Sequence, residues 1–582
     1  MNLQNELPVI LLLFAPLTAA IISLVGKFLP RRGYIIFSFL IWLLGSLYAL
    51  YLSAPAVFAG KSLWYSLGGW AEPYGINLSI DGLTWIATLT DVLIGSAAWL
   101  ASRRYSRFGA VFYFFFFMAL FSLQGILCSR DIFNLFIWFE VLSLSSFLLI
   151  SYDRTLISRL AAMRYLLLSS MSILLFLTGV WILYQLSGTL ALETIGATLQ
   201  SVPSQTAEYG LTHAAGNAAR DAGLPGAAGL SLALISVGIL TRAAIIPFHT
   251  WLPDAHAAAP YPVSALLSGF VIKAPMLAMW RIFDYIEFPM LMEGLIWLGG
   301  FCALWGVGAA MVQNDAKKLL GYHSVSQMGY ILAAFGIGGS IGKSAALFYI
   351  IAHALFKSLL FLTVGHVTVR SGTRNVYTIR GLSKFFPHYT VAFLIGAAAI
   401  SGFPLLAGFT GKVLVSEALH LHKAYYLLLL AGVGTAASFF KLSTIFFGKT
   451  SDEHILALES TPKDHLTTRR ARIAPNFGLM IISAGCILMG VFPSGIYRFI
   501  LMLLYGRPES TPSVGIGWYT STTLLKAGLS IAAGVLIALF LLSPRGKQIS
   551  HTLRTLKAGL NGALRMLVAG SIVLLFFGII AY

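Results

Sequence analysis

The sequence has few charged residues. Asp, Glu, Lys and Arg make up only 10% of its 582 residues, whereas soluble proteins carry roughly 25%. This scarcity, with a hydrophobic fraction of 58%, excludes a water-soluble globular protein. Acidic residues are scarcer than basic ones, so the formal net charge is +18. The basic residues lie in short loops rather than on one amphipathic face, and we therefore expect no nucleic-acid partner.

Cysteine is almost absent as well. Cys128, Cys302 and Cys486 stand singly in or beside apolar segments, with no CxxC spacing. This pattern indicates neither a disulfide framework nor an iron–sulfur cluster, and nothing in the sequence indicates a flavin or nickel site. We expect no cofactor in this chain and no redox or hydrolytic site of its own.

Long apolar runs are what the chain has in abundance. A helix needs about 20 apolar residues to cross a bilayer. About sixteen such runs are centred near residues 18, 44, 92, 118, 141, 172, 238, 271, 301, 328, 356, 400, 435, 486, 533 and 572. The first run lacks a signal peptide's basic start and cleavage motif. The sequence therefore predicts an all-α polytopic membrane protein with about 14 to 16 transmembrane helices, and residues 497–505 form a bent or surface piece.

Lys and Arg divide unequally between alternate loops. One set of loops holds 23 of them and the opposite set holds 8. Because basic loops stay on the cytoplasmic side, both termini are predicted outside. This distribution predicts a multi-pass protein of the cell inner (cytoplasmic) membrane, in contact with lipid.

Four regions follow from the pattern of runs and loops. Two of them carry a proline-interrupted helix beside intramembrane charges, as inverted repeats of transporters do. The spans around residues 118 to 271 would then correspond to those around 328 to 435. We expect N-terminal helices at 1–105, a first repeat at 106–285 with an external insertion at about 188–225, a second repeat at 286–450, and a polar internal loop with additional helices at 451–582.

Five ionisable residues lie inside apolar runs: Glu140, Arg242, Lys273, Lys357 and Lys412. A charge at the centre of a membrane helix costs roughly 2.5 to 3.5 kcal/mol on insertion scales, so function is the default explanation. A guanidinium keeps its proton, which makes Arg242 a fixed charge, whereas a desolvated lysine can release its proton. The alternatives are a Glu140 tied to Ser143 or Ser145 and a snorkelling Lys273.

The surroundings of two of these lysines extend the candidate site. His353 lies one helical turn before Lys357 on the same face and predicts a relay step, the alternative being an imidazole held by a backbone carbonyl. Gly408 and Gly411 precede Lys412 in a predicted unwound stretch. Secondary pathway candidates are Asp131, His249, His323, Glu417 and Lys441.

Five motifs in this order carry a resemblance to a known family. They are DIFNLFIWFEV, IPFHTWLPDAHAAAPYPVSALLSG, NDAKKLLGYHSVSQMGYIL, HALFKSLLF and GFPLLAGFTGK. Over roughly residues 75–450 the sequence resembles the antiporter-like subunits shared by Mrp Na+/H+ antiporters, membrane-bound hydrogenases and complex I. The D-type subunit of Mrp antiporters is the most similar of these.

The resemblance implies two linked half-channels. Charge movement at Glu140 and its partner would change the proton affinity of Lys273, and protons would pass through His353 and Lys357 toward Lys412. Arg242 stands where the family usually has a lysine, and a bidentate contact with Glu140 would make their pair permanent. The insertion near residues 190–225 and two extra spans also depart from the family pattern.

The function expected from the resemblance is proton translocation within a multisubunit Mrp-type cation (Na+)/proton antiporter. The alternative is a proton-pumping subunit of a membrane-bound hydrogenase or of a complex I type NADH/quinone oxidoreductase. Other membrane subunits, protons and Na+ would be the partners in the first case, and a redox partner would drive the second. A non-transporting scaffold is the weakest alternative, because it has no reason to hold so many costly charges.

Overall fold

The computed structural model describes residues 3–28, 33–70, 75–103, 108–199, 224–286, 289–448, 469–506 and 516–553. In the first half of the chain the helices are α1 (Leu3–Val25), α2 (Gly33–Phe58), α3 (Gly82–Ser102), α4 (Ala110–Cys128), α5 (Ile132–Ile150), α6 (Leu156–Ser187), α7 (Leu224–Arg242), α8 (Trp251–Ala258), α9 (Tyr261–Leu266) and α10 (Ala274–Phe283). In the second half they are α11 (Pro289–Met311), α12 (Ala316–Gly336), α13 (Gly339–Arg370), α14 (Pro387–Ser401), α15 (Ala407–Ala418), α16 (Tyr425–Ser443), α17 (Arg469–Val491), α18 (Pro493–Tyr505) and α19 (Ser521–Leu542). Residues 192–199 and 544–553 are helical too.

The helices confirm a polytopic membrane protein. Eleven helices in the described part are long and apolar enough to cross a membrane, or twelve if α17 and α18 form one bent span. The sequence predicts more because some helices carry polar faces or breaks. One example is α12, which is 21 residues long but includes Lys317, His323 and Gln327. The span predicted near residue 572 lies outside the described residues, as do much of the insertion at 188–225 and of the internal loop after 448.

Two features modify the all-helical prediction. β1 (Leu63–Ser66) and β2 (Asn77–Ile80) form a small antiparallel hairpin between α2 and α3. α18 is bent by 95° from the end of α17, which confirms that residues 497–505 do not form a span of their own. The fold is therefore a helical bundle with one hairpin at the end where α3 begins.

Two spans are enclosed by their neighbours over a stretch of 18 residues each. One runs from Tyr261 to Phe283 and contains Lys273, and the other is α13, which contains Lys357. Close helix approach makes this enclosure possible. For example, a Cβ on Gly329 would lie 2.5 Å from the backbone nitrogen of Ala303, so α11 and α12 pack backbone against backbone. The predicted charge carriers thus lie in the most protected part of the bundle.

An internal repeat is visible in the order of local features. Asp131 caps the N-terminus of α5, and Asp315 caps the N-terminus of α12. A 32-residue helix follows in each case, namely α6 and α13. The capping residue then pairs with the segment beyond that long helix, Asp131 with Ala191 and Asp315 with Asn375. The two regions predicted as repeats therefore contain the same structural elements in the same order. Amino-acid composition alone does not explain this agreement.

Each repeat continues into a broken helix. The break after α7 contains Ala244 and the break before α15 contains Leu405, both with left-handed backbone conformations that are unusual for residues other than glycine. Such strain persists where the surrounding structure enforces it, and it concentrates at functional sites. The breaks lie beside Arg242 and Lys412, as the proline positions predict.

Candidate functional site

Glu140 and Arg242 form an ion pair between α5 and α7. Nη2 of Arg242 donates to Glu140 Oε1 at 2.8 Å. The same guanidinium donates to the Phe139 carbonyl at 3.0 Å, to Ser143 Oγ at 2.5 Å and to the Ser169 carbonyl at 3.3 Å. Arg242 is therefore fixed by the bundle as well as by the carboxylate.

The pair is a single hydrogen bond, so the predicted bidentate contact is wrong. The second terminal nitrogen of Arg242 is directed at Phe139 and Ser143 because the helix end places it there. Ser143 thus serves Arg242 and not Glu140, which rules out Ser143 as the hydroxyl that holds the carboxylate. The side chain of Glu140 is 43% exposed, whereas that of Arg242 is 6% exposed. One contact to a half-exposed carboxylate leaves Glu140 free to exchange partners.

Lys273 lies at the end of a π-helical turn, Leu267–Val271, which joins α9 to α10. Its amine donates to the carbonyl of Ser268 inside that turn. A π-helical turn frees carbonyls from regular pairing and is frequent at functional sites. Lys273 has no exposed surface, so the snorkelling alternative is excluded.

Lys357 and His353 lie on α13, one turn apart, as predicted. The Lys357 amine donates to the Leu320 carbonyl of α12 and lies 5.4 Å from the centre of the Phe361 ring. Electrostatic interactions connect His353 with Lys273, Lys357 and His256. The positive charges of two of the three central lysines therefore act on His353.

Three buried histidines share an unusual property. His256, His323 and His353 are fully buried, and neither ring nitrogen of any of them has a hydrogen-bond partner in the part of the chain that the structure describes. A buried polar atom without a partner is costly, and such atoms call for a functional explanation. His353 is thus not held by a backbone carbonyl. Sequence reasoning missed His256, which the motif IPFHTWLPDAHAAAP contains.

Lys273, His353 and Lys357 form a line of polar side chains. A hydrogen bond between a tyrosine and a glutamine continues this line toward Lys412. The Tyr349 hydroxyl donates to Oε1 of Gln327, and Tyr349 lies one turn before His353 on α13. The ring centres of Tyr349 and Tyr330 are 5.7 Å apart, and the Lys412 amine lies 5.7 Å from the Tyr330 ring. Tyr349, His353 and Lys357 follow one another at intervals of four residues. This spacing is the sequence pattern that could have identified Tyr349.

Lys412 ends the line beside a cavity. Its amine donates to the Ile400 carbonyl at 2.8 Å, at the broken end of α14. The cavity has a volume of about 230 Å³, and its lining includes Lys412, Glu417 and Lys526. Glu417 is exposed. Lys412 and Glu417 therefore line the same cavity.

The unwound stretch near Lys412 is displaced from its predicted position. Gly408 and Gly411 lie inside α15, and the break occupies the residues between α14 and α15. Packing explains why position 411 is a glycine, since a Cβ there would lie 2.5 Å from the Tyr349 ring. Gly408 likewise meets the Ala399 carbonyl, so these glycines provide close packing rather than unwinding.

One pattern unites the central lysines. Lys273, Lys357 and Lys412 each donate to a backbone carbonyl, and no carboxylate of the described residues pairs with any of them. An ion pair would hold a buried lysine in its charged form, whereas a single carbonyl bond imposes no such constraint. The site as built suits amines that gain and lose a proton.

The remaining candidate residues lie around this line, and they contact backbone groups or aromatic rings. Asp131 caps α5 by accepting a hydrogen bond from the Asn134 backbone at 2.6 Å. Lys441 donates to the Met311 and Gln313 carbonyls at 2.7 and 2.8 Å, at the end of α11. His249 lies in the short turn Phe248–Thr250 after the first break, with its ring 6.2 Å from Tyr322. His323 packs against Phe439 and is in electrostatic contact with Lys357 and Lys412.

Replacing Asp131 with asparagine is expected to leave proton movement by the assembled complex unchanged. Asparagine caps a helix as well as aspartate does, so the bond to the Asn134 backbone survives without a titratable group. Asp131→Ala should instead lower thermal stability by about 1 kcal/mol, since it removes the cap. Transport assays and melting curves of the two variants check this, and a transport defect in Asp131→Asn would return Asp131 to the pathway.

Gly411→Ala is expected to displace the Tyr349 ring and to slow proton movement severalfold. The added Cβ would lie 2.5 Å from that ring, and Tyr349 contacts Gln327 next to His353. Gly308→Ala is the matched control, because nothing lies within 4 Å of a Cβ there. Initial transport rates of the two variants check this prediction. Equal rates for both would show that the position of Tyr349 is irrelevant to the path.

Buried amines, unpaired imidazoles and an ion pair inside a many-spanned helical bundle define an integral membrane protein with a charge-handling interior. The chain belongs to the NADH:quinone oxidoreductase/Mrp antiporter transmembrane family, whose model matches residues 129–438. That match covers more than half of the chain and confirms the resemblance seen in its motifs. The protein is an antiporter-like subunit of the kind shared by these complexes.

Individual relatives come from more than one branch of the family. The chain is 29% identical over 416 residues to the N-type subunit of NADH-quinone oxidoreductase from Desulforudis audaxviator, covering 69% of this chain and 78% of the relative. It is 26% identical over 424 residues to the D-type subunit of the Na(+)/H(+) antiporter from Bacillus subtilis, covering 72% and 81%. Both branches therefore match across most of their length.

Solved structures support the fold. A chain of the Mrp complex from Dietzia sp. superposes with a TM-score of 0.74 at 22% identity, covering 87% of this chain and 98% of that chain. A chain of the membrane-bound sulfane sulfur reductase, an archaeal respiratory membrane complex, gives 0.72 at 24% identity, covering 90% and 99%. The helical bundle described above is thus the fold of the matched chain in each of these complexes.

Proposed function

We propose that this chain is the proton-translocating subunit of a multisubunit Mrp-type Na+/H+ antiporter. The observation that carries the proposal is the line of three lysines, of which Lys273 and Lys357 are fully buried and Lys412 is half-buried. Each is bonded to a backbone carbonyl and none to a carboxylate of the described residues. Lysines held in fixed ion pairs would only have stabilised the packing of the bundle. Amines without a counter-ion are expensive to bury, and their proton exchange justifies that cost.

In this proposal the Glu140–Arg242 pair acts as an electrostatic switch. When Glu140 pairs with Arg242, the two charges largely cancel. When Glu140 is drawn away, Arg242 remains as an uncompensated cation that repels a proton from the neighbouring amines. Arg242 cannot itself pass a proton on. Its contacts to Phe139 and Ser143 hold it in place while Glu140 moves.

The exposed side of Glu140 supports partner subunits. Its side chain is 43% exposed on α5, a helix that crosses the membrane. A carboxylate facing hydrocarbon is strongly disfavoured, so this face suits another membrane subunit or a wet cleft rather than lipid. The partners are therefore other membrane subunits of the complex, and a charge on one of them would draw Glu140 away from Arg242.

The proton route then runs from Lys273 through His353 to Lys357 and on to Lys412. Electrostatic contacts link Lys273 with Lys357, and His353 with both. Gln327, Tyr349 and Tyr330 fill the space between His353 and Lys412. The cavity at Lys412 provides the opening. We place the complex in the cell inner membrane, with the basic loops in the cytoplasm and both termini outside.

Everted membrane vesicles that contain the complete complex test the antiport proposal. A proton gradient is formed by respiration, and Na+ or K+ is then added while the internal pH is followed with a fluorescent dye. The proposal predicts that the cation dissipates the gradient and that Lys273→Met abolishes this effect. A complex that moves protons only while electrons flow through it would overturn the antiport assignment.

The second candidate function is proton pumping within a redox-driven complex. The relative from NADH-quinone oxidoreductase and the superposition on the respiratory sulfane sulfur reductase favour it. The same lysine line would serve, and the redox chemistry would lie in a partner subunit. In the vesicle experiment this candidate predicts no response to Na+ or K+ and proton movement that stops when the electron donor is withdrawn.

A further inference from the structure

A second buried acid lies outside the lysine line, at the middle of α3. Asp91 has no exposed surface, although it is the tenth of 21 residues in a membrane-spanning helix. It therefore neither snorkels nor faces an outer interface. Gln124 of α4 donates to Asp91 Oδ2 at 2.8 Å, and Oδ1 has no partner among the described residues.

No charged group compensates Asp91. The elements packed against α3 include α2, α4, α9, α13, α18 and the π-helical turn. Their charged or titratable groups, with Lys273 at the end of the π-helical turn, are Tyr34, Tyr48, Tyr51, Tyr113, Cys128, Tyr261, Lys343, Tyr349, His353, Lys357, His366, Arg370, Tyr497, Arg498 and Tyr505. In the described part of the chain, Gln124 is the only side chain that interacts with the Asp91 carboxyl. The helix α17 also packs on α3, and its described side chains carry no charge.

A structural role does not require an acid here. An asparagine would accept the same hydrogen bond from Gln124 without bringing a charge into the bundle. A buried carboxylate without a cation costs several kcal/mol more than a neutral group. A metal cation is also a poor fit, because the Gln124 amide directs its donor nitrogen at the carboxylate while its oxygen accepts from Thr88 at 2.9 Å. The ligand that this site suits is a proton.

A polar face of α3 connects Asp91 with one end of the bundle. Thr84, Thr88 and Asp91 follow one another at helical spacing, so they line the same side of α3. Thr88 bonds to Gln124, and Thr84 donates to the Leu127 carbonyl at 3.0 Å, so both contact α4. The line is buried throughout, and polar side chains occupy each turn between Asp91 and the helix start.

An ion cluster anchors the start of this line. Arg281 donates to Asp81 Oδ1 at 2.7 Å and to Thr84 Oγ1 at 2.6 Å, and Arg130 donates to Asp81 Oδ2 at 2.8 Å. Burial alone would raise the pKa of Asp81, but the two guanidiniums hold it well below its ordinary value. Asp81 and Arg281 also line a cavity of about 280 Å³. Asp81 is thus a permanent anion of the cluster, and Asp91 is the next acid along the same helix.

We propose that Asp91 is a second proton-binding site, separate from the lysine line, which exchanges its proton with the cavity at Asp81 and Arg281 along the polar face of α3. Binding converts the carboxylate to a carboxylic acid by forming an O–H bond at Oδ1, while a hydronium ion in the cavity loses one O–H bond and becomes water. Release returns the proton to that water. The cavity is on the side predicted to lie outside, so this site communicates with the outer face.

Infrared difference spectroscopy of the purified, assembled complex tests this inference. The wild-type complex is expected to show the C=O stretching band of a protonated carboxylic acid, which rises as pH falls and shifts in D2O. Asp91→Asn should abolish that band, while the Asp131→Asn complex should retain it. A band that is identical in wild type and Asp91→Asn would overturn the proposal.

Two further variants complete the test. If Asp91→Asn does not assemble, Asp91→Glu keeps the acid and must shift the band in frequency, and an unshifted band would also overturn the proposal. Lys273→Met should retain the band, because Asp91 binds its proton independently of the lysine line. The infrared band is measured without any transport, so its result is independent of whether the complex is an antiporter.

Discussion

Replacing Lys357 with methionine is expected to slow proton movement by the assembled complex at least about tenfold, equivalent to about 1.4 kcal/mol or more in the barrier. Methionine has a similar length and fills the same enclosed space, so packing around α13 is retained. What disappears is the amine that donates to the Leu320 carbonyl beside His353. Proton uptake into proteoliposomes containing the whole complex measures the effect.

The matched control for this substitution is Lys318→Met. Lys318 is 40% exposed and pairs with Asp254 at 2.9 Å, outside the enclosed line. Its loss removes an equal charge from a surface position and should leave transport within about twofold of wild type, since exposed pairs contribute little. If Lys357→Met transported as fast as Lys318→Met, the line through α13 would carry no protons.

The second large effect is expected at the Glu140–Arg242 pair. Glu140→Gln should slow transport about tenfold or more while costing only about 0–1 kcal/mol of stability, because the carboxylate is 43% exposed. Arg242 keeps its bonds to Phe139, Ser143 and Ser169 in this variant, so the helices stay in place. Loss of transport with unchanged melting is the signature of a switch.

Variants of Arg242 separate its charge from its proton. Arg242→Lys retains the cation and is expected to keep a substantial part of the transport, whereas Arg242→Met removes the cation and should lose it. A transport rate in Arg242→Lys far above wild type would contradict the account, because it would mean that a proton passes through this position. The same rate in Arg242→Met and wild type would show that the charge has no role.

The sequence predicted the charged positions because burial of charge leaves a direct mark on an apolar run. Lys273 and Lys357 lie far from both ends of their runs, and both are fully buried in the structure. The polytopic helical fold, the bend before Tyr497 and the family also followed from composition, spacing and motifs. These are local properties of the chain, and tertiary structure does not reverse them.

Other parts of the site depend on contacts that no single sequence encodes. The π-helical turn before Lys273 packs closely on α13, since a Cβ at Gly269 would lie 2.3 Å from Ser358. The single contact between Arg242 and Glu140 depends on the angle at which α7 ends. Neither His256 nor Tyr349 carries a fixed charge, and the four-residue spacing to His353 was the only signal that marked Tyr349.

Asp91 shows the same limit from the other side. One acid in an apolar run indicates burial or an interface equally well, and only the position of Gln124 on α4 separates the two. The cluster of Asp81, Arg130 and Arg281 joins residues up to 200 positions apart, so sequence proximity gave no signal for it.

Replacing Lys273 with arginine tests the central claim, that the buried lysines exchange protons, most directly. Arginine keeps the positive charge at the end of the π-helical turn but holds its proton at any relevant pH. We predict that proteoliposomes containing the assembled Lys273→Arg complex take up protons as slowly as those with Lys273→Met. Uptake at the wild-type rate in Lys273→Arg would show that a fixed charge suffices at this position and would contradict the account.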